Sequence, residues 1–336
     1  SGNNMVINQA TDRAIIEYNS FSIGALETVR FEQPNASSIA LNRVIGVDPS
    51  NILGSLNSNG KIFLINPNGV IFGSGAKVDT AGLVASTLDI SNADFLNDDW
   101  TFSGTGGSVI NYGNIKINKP GGYAVLLGSY VKNEGYIQAD LASIALASGE
   151  FMTLSLDAEG LIQVVIDEAT SINPEGSSAA VENTGTLTAG TGRTMGSRIL
   201  LTAEVVDNVF DQAINTTGII EAKTLRTLDG QIALLANQDI SVGGEVAGGT
   251  VEVKSTDGNV THEEGGLVDV EHNTFRGYAG ENYTFANDAV INSENDVDIF
   301  AGLDLLFVSG GGDDAVAVVT GRNVFLTADQ GSIGQE

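Results

Sequence analysis

Cysteine is absent from the 336 residues, which excludes disulfide staples, thiol catalysis and cysteine-ligated metals. A secreted eukaryotic domain would often carry disulfides, so their absence favours an exported bacterial chain. Basic residues are scarce: 15 Lys and Arg stand against 42 Asp and Glu, for a net charge of −27. A surface this negative repels phosphate backbones and anionic membranes, so nucleic acid is not an expected partner. It suits the solubility of a long exposed rod. Apolar runs approaching the length of a membrane-spanning helix are also missing. No leader pattern precedes Met5-Val6-Ile7, so the chain is expected to begin inside the fold with any leader removed.

Glycine is abundant instead, with 42 residues against 5 prolines, in a chain that is 42% hydrophobic and 17% charged. That is enough apolar material for a core. The glycines stand singly between short β-branched and aliphatic runs. Lys61-Ile62-Phe63-Leu64-Ile65, Ser143-Ile144-Ala145-Leu146-Ala147 and Gln231-Ile232-Ala233-Leu234-Leu235 are examples, and each reads as a strand. Helical periodicity is nearly absent; residues 79–96 come nearest to it.

A signature Asn-x-Gly-x-Ile/Leu recurs at Asn111 and Gly113, at Asn133 and Gly135, and at Asn183 and Gly185. A version one residue longer runs from Asn215 to Gly218. The repeat spacing is near 20 residues, as for one coil of a solenoid. No coil alone covers its apolar inward face, and stacking buries that face and pairs the backbone. The expected fold is therefore all-β: a right-handed parallel β-helix of roughly 14–16 coils, about 70 Å long at the usual strand spacing. Asn and Gly are expected at the corners for their tolerance of left-handed and bridge conformations. Residues 151–167 read strand, four-residue turn with Gly160, strand. They are expected to form an antiparallel hairpin laid outside the rod.

Several segments resemble the two-partner secretion domain of filamentous haemagglutinin-like exoproteins. The opening Ile7-Asn8-Gln9, Asn19-Ser20-Phe21-Ser22-Ile23-Gly24 and Val29-Arg30-Phe31-Glu32-Gln33-Pro34 do so. The most specific block is Gly60-Lys61-Ile62-Phe63-Leu64-Ile65-Asn66-Pro67-Asn68-Gly69-Val70-Ile71-Phe72-Gly73. A second family motif, Asn-Pro-Asn-Leu, is not present as such; by the resemblance Gln33-Pro34-Asn35-Ala36 stands in its place, as in many relatives. The resemblance covers residues 5 to about 240. It implies a secretion domain over 1–240, with 241–336 continuing as β-helix into the shaft of a large surface adhesin. It also implies passage through the periplasm, recognition by the periplasmic domains of a partner outer-membrane β-barrel transporter, and folding at the cell surface. The receptor or polysaccharide met downstream is not implied.

Residues 66–69 suit a type I turn: Asn accepts first, Pro presets φ, Asn tolerates the bridge region and Gly closes. The resemblance makes that turn, with Gln33, Pro34 and Asn35, the candidate secretion motif. Enzyme signatures are thin, and neither a catalytic set nor a cofactor is expected. Asp98, Asp99, Asp157 and Asp167 are the acids that a polysaccharide-binding or -cleaving β-helix, the rival reading, would use. His262 and His272, near several acids, are expected on a solvated face without metal. Ser309-Gly310-Gly311-Gly312-Asp313-Asp314 reads as a plain loop, and Trp100 as the cover of a coil end. A monomer is expected.

Overall fold

The computed structural model describes residues 3–140, 142–157, 161–190, 196–222, 230–308 and 317–335. The Gly160 turn and the 309–314 loop lie outside the described residues. Among these residues three long parallel sheets stack along the chain, with 12, 12 and 11 strands. Each coil visits them in the same order. Thus Thr28–Glu32 lies in the first sheet, Ile39–Val44 in the second and Ser50–Ile52 in the third. The chain is a solenoid-like β-helix, as its glycine-punctuated strands predict.

The coils are fewer than expected. Twelve strands at about 4.8 Å spacing give a rod about 50 Å long. The missing coils are accounted for by two excursions. Leu83 pairs with Ala124, 41 positions on, and Ser143 with Arg198, 55 positions on. Most other second-sheet steps are close to the repeat, such as the 19 from Gln231 to Thr250.

Both excursions leave after a strand of the second sheet and return before one of the third. They assemble an antiparallel sheet in the order Asp89–Ile90, Trp100–Ser103, Phe151–Leu156, Ile162–Glu168. The expected hairpin is therefore present, but as half of a four-stranded sheet. Within residues 79–96, Lys77–Thr80 and Gly82–Ser86 end in or form strands, and only Asn92–Leu96 is helical. Ser91 caps that helix by accepting from the Asp94 amide at 3.0 Å.

Two apolar cores result. One fills the rod with inward residues such as Ile62, Leu64, Leu83, Ala124 and Ile144. The other lies between the outer face of the second sheet and the antiparallel cover. It holds Phe63, Ile65, Tyr123, Val125, Trp100, Phe102, Met152 and Leu154. A strand buried on both faces loses the apolar/polar alternation, and Tyr123–Gly128 and Ser143–Ser148 are buried throughout. Past the cover alternation returns: Gly230–Ala236 and Phe275–Ala279 bury every second residue.

Trp100 therefore covers a side of the rod and not an end. Its ring meets Phe63 at 5.5 Å and Tyr123 at 5.7 Å, both edge-to-face.

Candidate functional site

Asn66 follows the last residue of Lys61–Ile65, whose side chains alternate between the two cores. The strand must stop there and turn into Val70–Phe72 of the third sheet. The turn closes by a bond from the Gly69 amide to the Asn66 carbonyl, 3.0 Å. Asn66 Oδ1 accepts from the Asn68 amide at 3.0 Å. Gly69 has φ +122°, a conformation that favours glycine. Asn68 has no positive φ, in keeping with the expected type I geometry.

The turn is braced by both neighbouring coils. The buried Asn66 side chain donates to the Asp48 carbonyl and the Ser50 hydroxyl, each at 3.0 Å. Asn68 Nδ2 donates to the Gly46 carbonyl at 2.8 Å. From the far side, the Gly107 amide donates to the Pro67 carbonyl at 2.8 Å. Gly107 lies where the first excursion rejoins the rod. Only Pro67 and Asn68 of the motif are exposed.

Gln33, Pro34 and Asn35 form a turn at a different corner, between the first and second sheets. Gln33 is buried. Its Nε2 donates to Gln9 Oε1 at 2.9 Å and to the Ser38 and Lys61 carbonyls at 3.2 and 3.3 Å. Asn35 Nδ2 donates to Asp12 Oδ1 at 2.9 Å, and its Oδ1 accepts from the Ser37 amide at 2.9 Å. The two motifs flank the second sheet at opposite ends of its strands; the fold does not join them into one site.

Asn111, Asn133 and Asn183 stand in register at the end of third-sheet strands. Their buried amides form a ladder: Asn111 donates to Asn133 at 2.8 Å, Asn133 to Asn183 at 2.9 Å, and Asn183 to the Thr216 hydroxyl at 3.3 Å. The 215–218 repeat is therefore not longer; Thr216 takes the asparagine position. Gly113, Gly135 and Gly185 have no positive φ. They are glycine because the coils touch there. A Cβ on Gly135 would lie 2.2 Å from the Gly113 carbonyl oxygen, and one on Gly185 2.2 Å from that of Gly135. Close approach, and not left-handed backbone, explains these repeats.

The same column continues through Val242, His262, Phe285 and Phe307. His262 is buried, against the solvated position expected for it. It stacks on Phe285 at 5.1 Å, and its Nε2 lies 2.8 Å from the Tyr283 hydroxyl. Burial pushes its pKa down to about 3. His272 is on another face beside the first sheet, 3.8 Å from Glu294. Among the described residues no group of three or more acidic or histidine side chains could hold a metal ion.

The candidate acids do not converge. Asp98 pairs with Arg13, and Asp157 with Arg198 at 2.8 Å. Asp157 and Asp167 sit at opposite ends of the outer hairpin, roughly 17 Å apart at the usual rise per residue. Paired glycosidase carboxylates stand closer, roughly 5–10 Å apart.

Sequence reasoning missed the arginines that fasten the cover. Arg43 is buried; it donates to Asp89 at 2.8 Å, to Asn92 at 2.7 Å and to the Ile90 carbonyl. Arg13 donates to the Phe95 carbonyl at 3.3 Å and lies over the Phe95 ring. The loss of alternation in the second-sheet strands was the signal that something covers them.

The family model for the TPS secretion domain matches residues 1–253. A protein named heme/hemopexin-binding protein, from Haemophilus influenzae, is 37% identical over 198 residues, 56% of this chain and 21% of that protein. A second of that name from the same species is 46% identical over 99 residues, 30% of this chain and 11% of it. The chain thus spans a small part of these relatives. The HMW1 secretion domain from Haemophilus influenzae superposes with a TM-score of 0.73 at 26% identity, over 99% of this chain and 96% of that one. The chain belongs to the TPS secretion-domain family, the domain through which two-partner-secretion exoproteins are carried across the outer membrane by a partner transporter.

Proposed function

We propose that this chain is the N-terminal secretion-signal and fold-nucleating region of a large secreted adhesin, and that Asn66, Pro67, Asn68 and Gly69 serve both roles. The periplasmic domains of the partner transporter read the motif, with Gln33, Pro34 and Asn35, in the unfolded chain. At the surface the same residues then close the turn on which the cover's first excursion rests.

One observation carries this reading: the Asn66 side chain is buried and bonded to the preceding coil, so the folded turn leaves it nothing with which to bind a reader. A direct signalling role for Asn66 belongs to the unfolded chain, and a folding role to the turn.

Residues 1–240 form the secretion domain and 241–336 the start of the shaft. The return of alternation from Gly230–Ala236 onward supports that division, because the cover ends there. The chain acts as a monomer and is not an enzyme; its acids are dispersed, and Arg13, Arg43 and Arg198 are engaged in fastening the cover.

The test replaces Asn66 and Asn68 singly with alanine in cells carrying the partner transporter, and measures secreted and folded protein. Secretion is expected to fall sharply for both. Secretion and folding of both variants at wild-type levels would sink the reading. If Asn66→Ala is secreted normally but melts lower, the role of Asn66 is folding alone.

A further inference from the structure

We propose that the outer edge of Ile162–Glu168, with the groove beneath it, is a strand-addition site for an extended segment of another protein. That segment is apolar at alternate positions and carries a basic residue.

The cover has two ends. At one, Asp89–Ile90 is short and tied down by Arg43. At the other, Ile162–Glu168 is seven residues long and, among the described residues, pairs on one side only, with Phe151–Leu156. Among the described residues, no further backbone–backbone hydrogen bond engages positions 163–167. Long unpaired edges are templates for a further strand, and proteins usually blunt them with lysine or proline. Neither residue occurs in this strand, and its charges, Asp167 and Glu168, and its register shift are confined to the last residues.

The space beside the edge has the shape of one more strand position. A groove of about 390 Å³ runs along it, with Val164 on its wall and Leu200, Ala233 and Leu235 on its floor. These floor residues belong to the outer face of the second sheet, and they extend the core that the existing cover strands bury. Strands of both sheets repeat at about 4.8 Å. An added strand would therefore set every second side chain over the half-buried Ala233 and Leu235, beside the already covered Leu200, as Phe151–Leu156 sets Met152 and Leu154 over the coils before. Main-chain bonds would supply the affinity and the floor the preference for apolar residues.

Charge selects the occupant. Among the described residues that line the groove, the one basic group, Arg198, is paired with Asp157 at 2.8 Å, which leaves Glu252 as the remaining charge there. Asp167 and Glu168 are exposed at the strand's end. A second copy of the chain would bring the same acidic edge and a further −27, so like charges oppose self-pairing.

The probe is a short synthetic peptide alternating valine and threonine with one central lysine. Matched peptides carry glutamine or glutamate there. Each is titrated into the folded chain by calorimetry up to millimolar concentration, and amide hydrogen exchange locates the contact. The lysine peptide is expected to bind about tenfold more tightly than the glutamate peptide, and amides within Ile162–Glu168 to gain protection. Ala233→Trp, which fills the groove, should abolish binding of all three. Glu252→Gln, a surface change, should keep binding and erase the lysine preference. The proposal is overturned by absent binding, by protection confined to other strands, by equal binding of the three peptides, or by an Ala233→Trp variant that melts and binds like wild type.

Discussion

Asn111 and Asn133, 22 residues apart, meet amide to amide at 2.8 Å inside the rod, and neither is exposed to solvent. Each is the other's neighbour only because one coil lies on the next.

Asn133 is the middle rung. Its Oδ1 accepts from Asn111 and its Nδ2 donates to Asn183. Asn133→Ala leaves a buried donor on Asn111 and a buried acceptor on Asn183. A loss of about 2–4 kcal/mol is expected in urea unfolding, since an unsatisfied buried polar group costs about 1–3 kcal/mol. A loss within about 0.5 kcal/mol, the range of ordinary surface changes, would show that the ladder is not stabilising.

Gly135→Ala and Gly69→Ala should fail for different reasons. The Cβ at 135 would sit 2.2 Å from a backbone oxygen of the adjoining coil, which can yield only if the coils part. At 69 the nearest atom is 3.4 Å away, and the cost is the φ of +122° alone, of order 1–3 kcal/mol. Melting temperatures should rank wild type above Gly69→Ala above Gly135→Ala. The reverse order would refute the close-approach account of the Asn-x-Gly repeat.

Arg43→Ala should loosen the cover before the rod. It removes bonds to Asp89, Asn92 and the Ile90 carbonyl, and it leaves Asp89 without its 2.8 Å partner. Trp100 is the single tryptophan and lies in the second core, so its fluorescence reads the cover. A red-shifted emission and faster exchange of Trp100–Ser103 amides are expected, with Thr250–Ser255 unchanged. Equal effects on both strands would mean that cover and rod unfold as one unit.

His262 sets an acid limit. Its folded pKa lies near 3, against 6.5 unperturbed, because the charged imidazolium would be desolvated. The unfolded chain binds a proton below pH 6.5 that the folded chain refuses. The contribution is therefore fully present above pH 6.5 and is lost as pH falls from there towards 3. His262→Phe keeps the stack on Phe285 and removes the titration. Its unfolding free energy should fall less than that of wild type between pH 7 and 4.5. Parallel pH curves for the two proteins would refute the assignment.

Much of the fold was legible as sequence. Short β-branched strands, single glycines and a spacing near 20 predict a stacked coil, and the break after residue 150 predicts a hairpin. The pairing of that hairpin with Trp100–Ser103 was not legible, because antiparallel neighbours about 50 residues apart leave no local mark. The coil number went astray for the same reason: excursions consume chain without adding a coil. At the candidate site, the turn chemistry of residues 66–69 could be read from residue types alone. The burial of Asn66 could not, since the groups that cover it, Asp48 and Ser50, belong to the coil before.

The sequence by itself determined the solenoid, because strand periodicity and turn chemistry are local properties that act wherever the chain goes. It also carried the family resemblance in the Asn-Pro-Asn-Gly block. Only the tertiary structure decided which faces are double-covered, why Gly113, Gly135 and Gly185 admit no side chain, and where His262 lies. Those facts depend on what the neighbouring coil or excursion brings into contact, and contact across coils is a property of stacking that no single segment encodes.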